Sequence, residues 1–262
     1  MPHVVNGGVK IHYEMEGEGP FVILQTGAAG DSNMWRQAGY LRGLEGFTSI
    51  LLDHRGHGNS DRPMQLDLHR MEYYVSDVLA VMDSLHVDKA AFIGYSDGGR
   101  VGFELAISHP DRITCLISLS STGMMNEEEL QGRDELAASI RANGVPELIG
   151  YFEEAEGIRF PDWLRNQFLT TDAEMFALEL IGWKNWPSAW SRLAGIRVPV
   201  MIIVGEKEDP EGFASEAVKL MPKGKAIVLP DQGHIGAFLA VDDVLTHLMP
   251  FLVGNMSNSD LI

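Results

Sequence analysis

Six short apolar runs, each closed by turn residues, constrain this chain more than any other feature. They are FVILQTG, TSILLDHRG, AAFIGYSDGG, ITCLISLSS, VPVMIIVGE and KAIVLPDQGH. Between several of them lie stretches of helical length; in MEYYVSDVLAVMDSLH, Tyr74, Val78, Val81 and Leu85 fall near one helical face. Strands alternating with helices predict a mainly parallel central sheet, and runs that are continuous rather than alternating predict strands covered by helices on both faces. Val9 to Tyr13 alternates apolar with polar and reads as an antiparallel edge strand. With 262 residues, 45% of them hydrophobic and 22% charged, the chain has the apolar side chain to bury a sizeable core.

The rhythm breaks between about Ser121 and Ile196, where no strand-like run appears and the segment reads as an inserted helical cap. Its first half is acidic (EEEL, RDEL, YFEEAEG) and reads as a solvated helical face; its second half concentrates aromatics, among them Trp163, Trp183, Trp186 and Trp190. The last three stand at i, i+3 and i+7, so one helical face would present them to the main domain unless Pro187 ends the helix.

Thirty-seven Asp and Glu against twenty Lys and Arg leave a formal charge of −17, a field that repels nucleic acid and anionic membrane surfaces. The single cysteine, Cys115, has no partner for an internal disulfide and excludes zinc sites built on several thiols, so no metal is expected. The N-terminus has no basic or apolar signal-like region, and the longest apolar stretches are far shorter than the roughly 20 residues of a membrane span. The expected setting is the cytoplasm.

The chemistry concentrates in Gly94-Tyr95-Ser96-Asp97-Gly98-Gly99, which follows the run Ala90 to Ile93 and precedes a helical stretch. G-x-S-x-G between strand and helix puts the serine on a tight, strained turn that lifts its hydroxyl clear of the sheet. A serine hydroxyl needs a base, and the base needs an acidic partner to fix its tautomer. Candidates follow two later strands: Glu206-Lys207-Glu208-Asp209 and Asp231-Gln232-Gly233-His234. Parallel strands bring their carboxyl ends to one edge, so these distant positions can converge. His234 is the expected base. Asp209 is the favoured acid, with the adjacent Glu208 and then Asp231 as alternatives. His54 and His57, in DHRGHGNSD, are rival bases, while His12, His69, His86 and His109 read as surface or helix-end positions. A tetrahedral intermediate also needs N–H donors; Ala28 in Thr26-Gly27-Ala28-Ala29-Gly30 and the backbone N–H of Asp97 are the expected pair. The Asp97 carboxylate either favours the helix N-terminus or meets a cationic part of the substrate.

These motifs together resemble the α/β-hydrolase fold superfamily over essentially the whole chain: LQTGAAG for the oxyanion loop, LLDHRGHGNSDRP after the fourth strand, GYSDGG for the nucleophile, VGEKEDP for the acid and DQGH for the histidine. The resemblance implies a core domain of residues 1–121 and 197–262, with a helical cap of residues 122–196 inserted after the sixth strand. It implies Ser96 as nucleophile, His234 as base and Asp209 as acid. Two departures stand out: members usually carry His-Gly where this chain has Thr26-Gly27, and their acid commonly stands three residues after the glycine, at Glu208 here.

The expected function is hydrolysis of small carboxylic esters or lactones through an acyl-enzyme on Ser96, with no cofactor. Tyr95, Trp163, Trp183 and Trp186 are expected to line the substrate pocket. The alternatives are a carbon–carbon hydrolase of ring-cleavage products using the same triad, and a receptor-like ligand-binding protein with little turnover. The expected partner is a small molecule, with neither nucleic acid nor membrane.

Overall fold

The computed structural model describes residues 2–125 and 127–256. Eight strands form one sheet in the order β1-β2-β4-β3-β5-β6-β7-β8: β1 (His3–Asn6), β2 (Val9–Glu16), β3 (Phe21–Gln25), β4 (Thr48–Leu52), β5 (Ala90–Tyr95), β6 (Ile113–Leu119), β7 (Val200–Gly205) and β8 (Gly224–Leu229). β1 and β2 pair antiparallel, β2 runs antiparallel to β4, and every other pairing is parallel. The alternating run from Val9 is therefore not an edge strand. It lies second in the sheet, and β1, too short and too polar to stand out as a run, takes the edge.

Successive residues of the continuous apolar runs serve opposite faces. Leu24, Leu51, Ile93, Ile117 and Ile203 join one buried cluster, and Ile23, Ile50, Phe92, Leu116 and Ile202 join the other. Against the first lie α1 (Asn33–Ala38), α9 (His234–Leu239) and α10 (Val241–Asn255), the last through Val244, Leu248 and Leu252. Against the second lie α2 (Met71–Ser84), α3 (Asp97–Ser108) and α8 (Phe213–Leu220). In α2, Tyr74, Val78 and Val81 are buried as the helical spacing requires. Each such side chain contributes about 1.5–3 kcal/mol by leaving water, so both faces must be covered for the sheet to persist.

Between β6 and β7 the chain forms α4 (Glu127–Asn143), α5 (Pro146–Glu156), α6 (Asp162–Leu169), α7 (Ala173–Gly182) and a 3-10 segment at Ala189–Gly195, with no strand among the described residues. The chain leaves β3 toward β4 on one side of the sheet and leaves β5 toward β6 on the other. The loops after β3 and β5 thus diverge and open a crevice at the carboxyl ends of the strands, where open α/β sheets hold their ligands. Among the described residues no helix is long and apolar enough to cross a membrane.

Candidate active site

Ser96 closes the turn between β5 and α3 with φ 55° and ψ −120°, outside the regions open to ordinary L-residues. A conformation of this kind costs on the order of 1–3 kcal/mol and persists only where its surroundings fix it. They do so here: Ser96 N donates to Leu119 O at 2.8 Å, and Gly94 lies so close to the start of α3 that a Cβ on it would fall 2.3 Å from Gly98 O.

The hydroxyl meets His234, whose Nε2 lies 3.0 Å from Ser96 Oγ, while His234 Nδ1 donates to Glu208 Oε2 at 2.7 Å. Serine, imidazole and carboxylate thus form one hydrogen-bonded line, able to pass the hydroxyl proton to Nε2 while the carboxylate stabilises the resulting imidazolium. His234 opens α9, which an aromatic cluster fixes: Phe238 packs on Trp35, Tyr40 and Tyr95, and Tyr40 OH donates to Phe238 O at 2.9 Å. The imidazole itself lies between Tyr95 and Phe152, with ring centroids 5.3 and 5.8 Å away. Withdrawal from water pulls its pKa down, but the hydrogen bond and charge of Glu208, joined by the charge of Glu156, raise it above the ordinary histidine value.

The favoured acid, Asp209, is not in this line; its neighbour Glu208 is. β7 ends at Gly205 and the chain turns at once, with Glu208 N donating to Gly205 O at 3.2 Å and Gly205 N donating to Glu208 Oε1 at 2.7 Å. That turn aims Glu208 back at the sheet edge, where its other oxygen reaches His234. Asp209 instead accepts from Ala214 N at 3.0 Å, satisfying an orphan donor in the first turn of α8. Asp231 is exposed.

The loop after β3 lies against the nucleophile turn: a Cβ on Gly27 would fall 2.6 Å from Ser96 Cβ and 2.9 Å from Asp97 N. Gly27, Ala28 and Asp97 border the same cavity as Ser96. Ala29 is held with φ 62°; its N–H donates to His57 Nε2 at 3.2 Å, and its carbonyl accepts from Thr171 Oγ1 at 3.2 Å. Thr26 has a buried hydroxyl without a hydrogen-bond partner among the described residues. His57, from the loop after β4, fastens this loop instead.

Neither His54 nor His57 touches Ser96. Both are buried beside Glu179 of α7, with His54 Nε2 3.4 Å from Glu179 Oε1 and His57 Nε2 3.5 Å from Glu179 Oε2. Burial lowers both histidines to about 4 and, together with the charge of Asp97, raises Glu179 to about 7. The three groups stand within metal-ligand reach of one another, but the His57 Nε2 lone pair is already committed to the Ala29 N–H. Two further histidines expected at the surface or at helix ends are buried, though His69 does end a 3-10 segment, Leu66–His69: His12 Nδ1 donates to Asp53 at 2.9 Å, and His69 bonds Pro63 O at 2.7 Å.

Asp97 does not await a cation. Its carboxylate is held by Arg100 of α3 and by Arg133 of α4, the latter at 2.5 Å; burial pushes its pKa up, but the two guanidinium groups prevail and hold it well below the usual carboxylate range.

The cavity over Ser96 has a volume of about 300 Å³. Tyr95 borders it, but Trp163, Trp183 and Trp186 do not. α7 stops at Gly182, so Trp183 and Trp186 share no helical face. Trp183 is buried edge-on to Tyr74, and Trp186 donates from Nε1 to Glu104 at 2.8 Å. Trp163 packs half-buried against the core cluster. The apolar wall comes instead from Leu148 and Phe152 of α5, Phe168 of α6, and Phe176 and Leu180 of α7. Cys115 offers no rival nucleophile: it is fully buried in β6, and burial pushes its thiol up to about 12.

The family described as the alpha/beta hydrolase fold matches residues 20–180; the chain belongs to that family. A putative 2-succinyl-6-hydroxy-2,4-cyclohexadiene-1-carboxylate synthase of Bacillus subtilis is 29% identical over 253 residues, covering 88% of this chain and 90% of that protein. A thermophilic esterase from Thermogutta terrifontis superposes with a TM-score of 0.85 over 98% of this chain and 99% of its own, and its 22% identity makes this a likeness of fold. The enol-lactonase from Burkholderia xenovorans superposes with a TM-score of 0.81 at 25% identity, covering 96% of this chain and 100% of its own.

Proposed function

We propose that this α/β hydrolase cleaves small carboxylic esters or lactones through an acyl-enzyme on Ser96. The observation that carries the reading is the continuous line from Ser96 Oγ to His234 Nε2 at 3.0 Å and from His234 Nδ1 to Glu208 at 2.7 Å. His234 takes the hydroxyl proton as Ser96 attacks the carbonyl, gives it to the leaving alcohol, and then activates the water that releases the acid. Glu208, not Asp209, holds the imidazole tautomer. The N–H groups of Ala28 and Asp97 receive the oxyanion; removal of one such donor typically costs about a hundredfold or more in rate. The helices between β6 and β7 act as a cap whose Leu148, Phe168 and Phe176 take the apolar part of the substrate. The likeness to the enol-lactonase supports this chemistry. No cofactor enters the scheme.

The Bacillus subtilis relative supports a second reading, formation of a cyclohexadiene carboxylate with His234 as the base and no ester cleaved. The test is hydrolysis of p-nitrophenyl esters by the wild type and by Ser96→Ala, beside labelling with a fluorophosphonate located by mass spectrometry. Turnover lost in the variant, with label on Ser96, supports the esterase. Label on Ser96 without ester turnover favours the synthase reading, and neither label nor turnover leaves the receptor-like alternative.

A further inference from the structure

Glu156 ends α5 in the acidic stretch YFEEAEG, where a solvated face is expected, yet it is 6% exposed. Its two carboxylate oxygens accept from the backbone N–H groups of Ile235 and Gly236, each at 2.9 Å. These are the residues directly after His234, in the first turn of α9, where a carboxylate satisfies orphan donors. One turn earlier on α5, Phe152 stacks on the His234 ring at 13° between planes. Positions i and i+4 share a helical face, so a single face of α5 holds the imidazole with one side chain and the backbone beneath it with another. The main-chain oxygen of Glu156 accepts from Lys207 Nζ at 3.0 Å, and Lys207 immediately precedes Glu208. Gly233 belongs to the same arrangement: a Cβ there would fall 2.4 Å from the Glu156 carboxyl carbon.

We propose that Glu156 is a positioning residue that locks the His234 and Glu208 turns together from the inserted helix α5, making the geometry of the imidazole depend on the docking of that helix. This rests on the assignment of Ser96, His234 and Glu208 as the reacting groups. The charged and titratable groups facing the imidazole are Glu208 from the β7 turn, Glu156 from α5, Arg100 from α3 and Tyr95 from β5. Loss of the Glu156 carboxylate removes one of the two negative charges that favour the imidazolium, so the histidine titrates at lower pH.

The experiment compares wild type, Glu156→Gln, Glu156→Ala and the exposed neighbour Glu154→Gln. It reads kcat and KM on p-nitrophenyl acetate together with an NMR titration of the His234 imidazole, assigned with His234→Asn. Glu156→Ala is expected to lose about tenfold or more in kcat with KM within about twofold, since a misplaced base acts on the chemical step rather than on binding. Glu156→Gln is expected to lower the His234 midpoint by about half a unit, while Glu154→Gln changes neither reading. If Glu156→Ala does not fold, Glu156→Gln, which keeps one acceptor, decides. A folded Glu156→Ala with wild-type kcat, or a folded Glu156→Gln whose His234 midpoint matches the wild type, overturns the proposal. If the wild type hydrolyses no ester, the proposed function fails by itself, and the titration alone decides whether Glu156 governs His234.

Discussion

Glu208 and Asp209 differ by one methylene and one position, and that difference separates a residue that reaches the histidine from one that ties down a helix. Glu208→Gln keeps the shape but loses the charge that steadies an imidazolium, and is expected to lower kcat at least about a hundredfold; Asp209→Asn should stay within about threefold of wild type, losing mainly stability through a weakened cap of α8. Steady-state rates with p-nitrophenyl acetate, beside the melting temperature of each variant, check both. Ser96→Ala and His234→Ala should each remove at least about a thousandfold, because members of such a unit fail together. The proposed mechanism requires neutral His234, and its pKa is raised, so the acid limb of kcat/KM should lie above about pH 6.5. A limb at or below the ordinary histidine value would contradict the Glu208 pairing. The sequence shows both acids and the histidine but not the turn at Gly205 that decides between them, because adjacent residues leave a tight turn in different directions.

Helix α7 carries Glu179 under the loop after β4, and its folded-state pKa of about 7 lies above the ordinary carboxylate value. Between the two values the unfolded chain binds fewer protons than the folded one, so this group's contribution to stability falls as pH rises through that window. Glu179→Gln removes the slope. Relative to wild type, the variant should gain stability between pH 5 and 8, measured by urea unfolding at both values; an equal difference at the two would contradict the assignment. The same helix shows what was legible at this scale and what was not. The run AEMFALELIG reads as helical, but its stop at Gly182 does not, and with that stop the tryptophans expected on one face part company. The parallel strands β3 to β7 were legible because burial on both faces writes itself as unbroken apolar runs; β8 carries such a run too, yet at the sheet edge it is only partly covered, with Val228 exposed. β1 was not, since four residues of mixed polarity carry no such mark.

Across the whole molecule, two covered faces of one sheet bring the ends of β3, β5, β7 and β8 to a single edge, and four inserted helices close a cavity of about 300 Å³ above it. Among p-nitrophenyl esters, kcat/KM for dodecanoate should fall at least about tenfold below butyrate, and Phe176→Ala should narrow the gap by enlarging the apolar end; a flat chain-length profile would contradict the proposed acyl pocket. The edge itself could be read from motifs that follow strands, whereas the wall of the cavity could not, because it is set by the mutual placement of helices that share no local signal. Fluorophosphonate labelling of wild type, Glu208→Gln and Asp209→Asn, followed by intact-mass spectrometry and peptide mapping, tests the reacting line most directly. The expected result is label on Ser96 at similar rates in the wild type and Asp209→Asn, and at least about a hundredfold slower in Glu208→Gln. Labelling that survives in Glu208→Gln but is lost in Asp209→Asn, or label absent from Ser96 in the wild type, would contradict it.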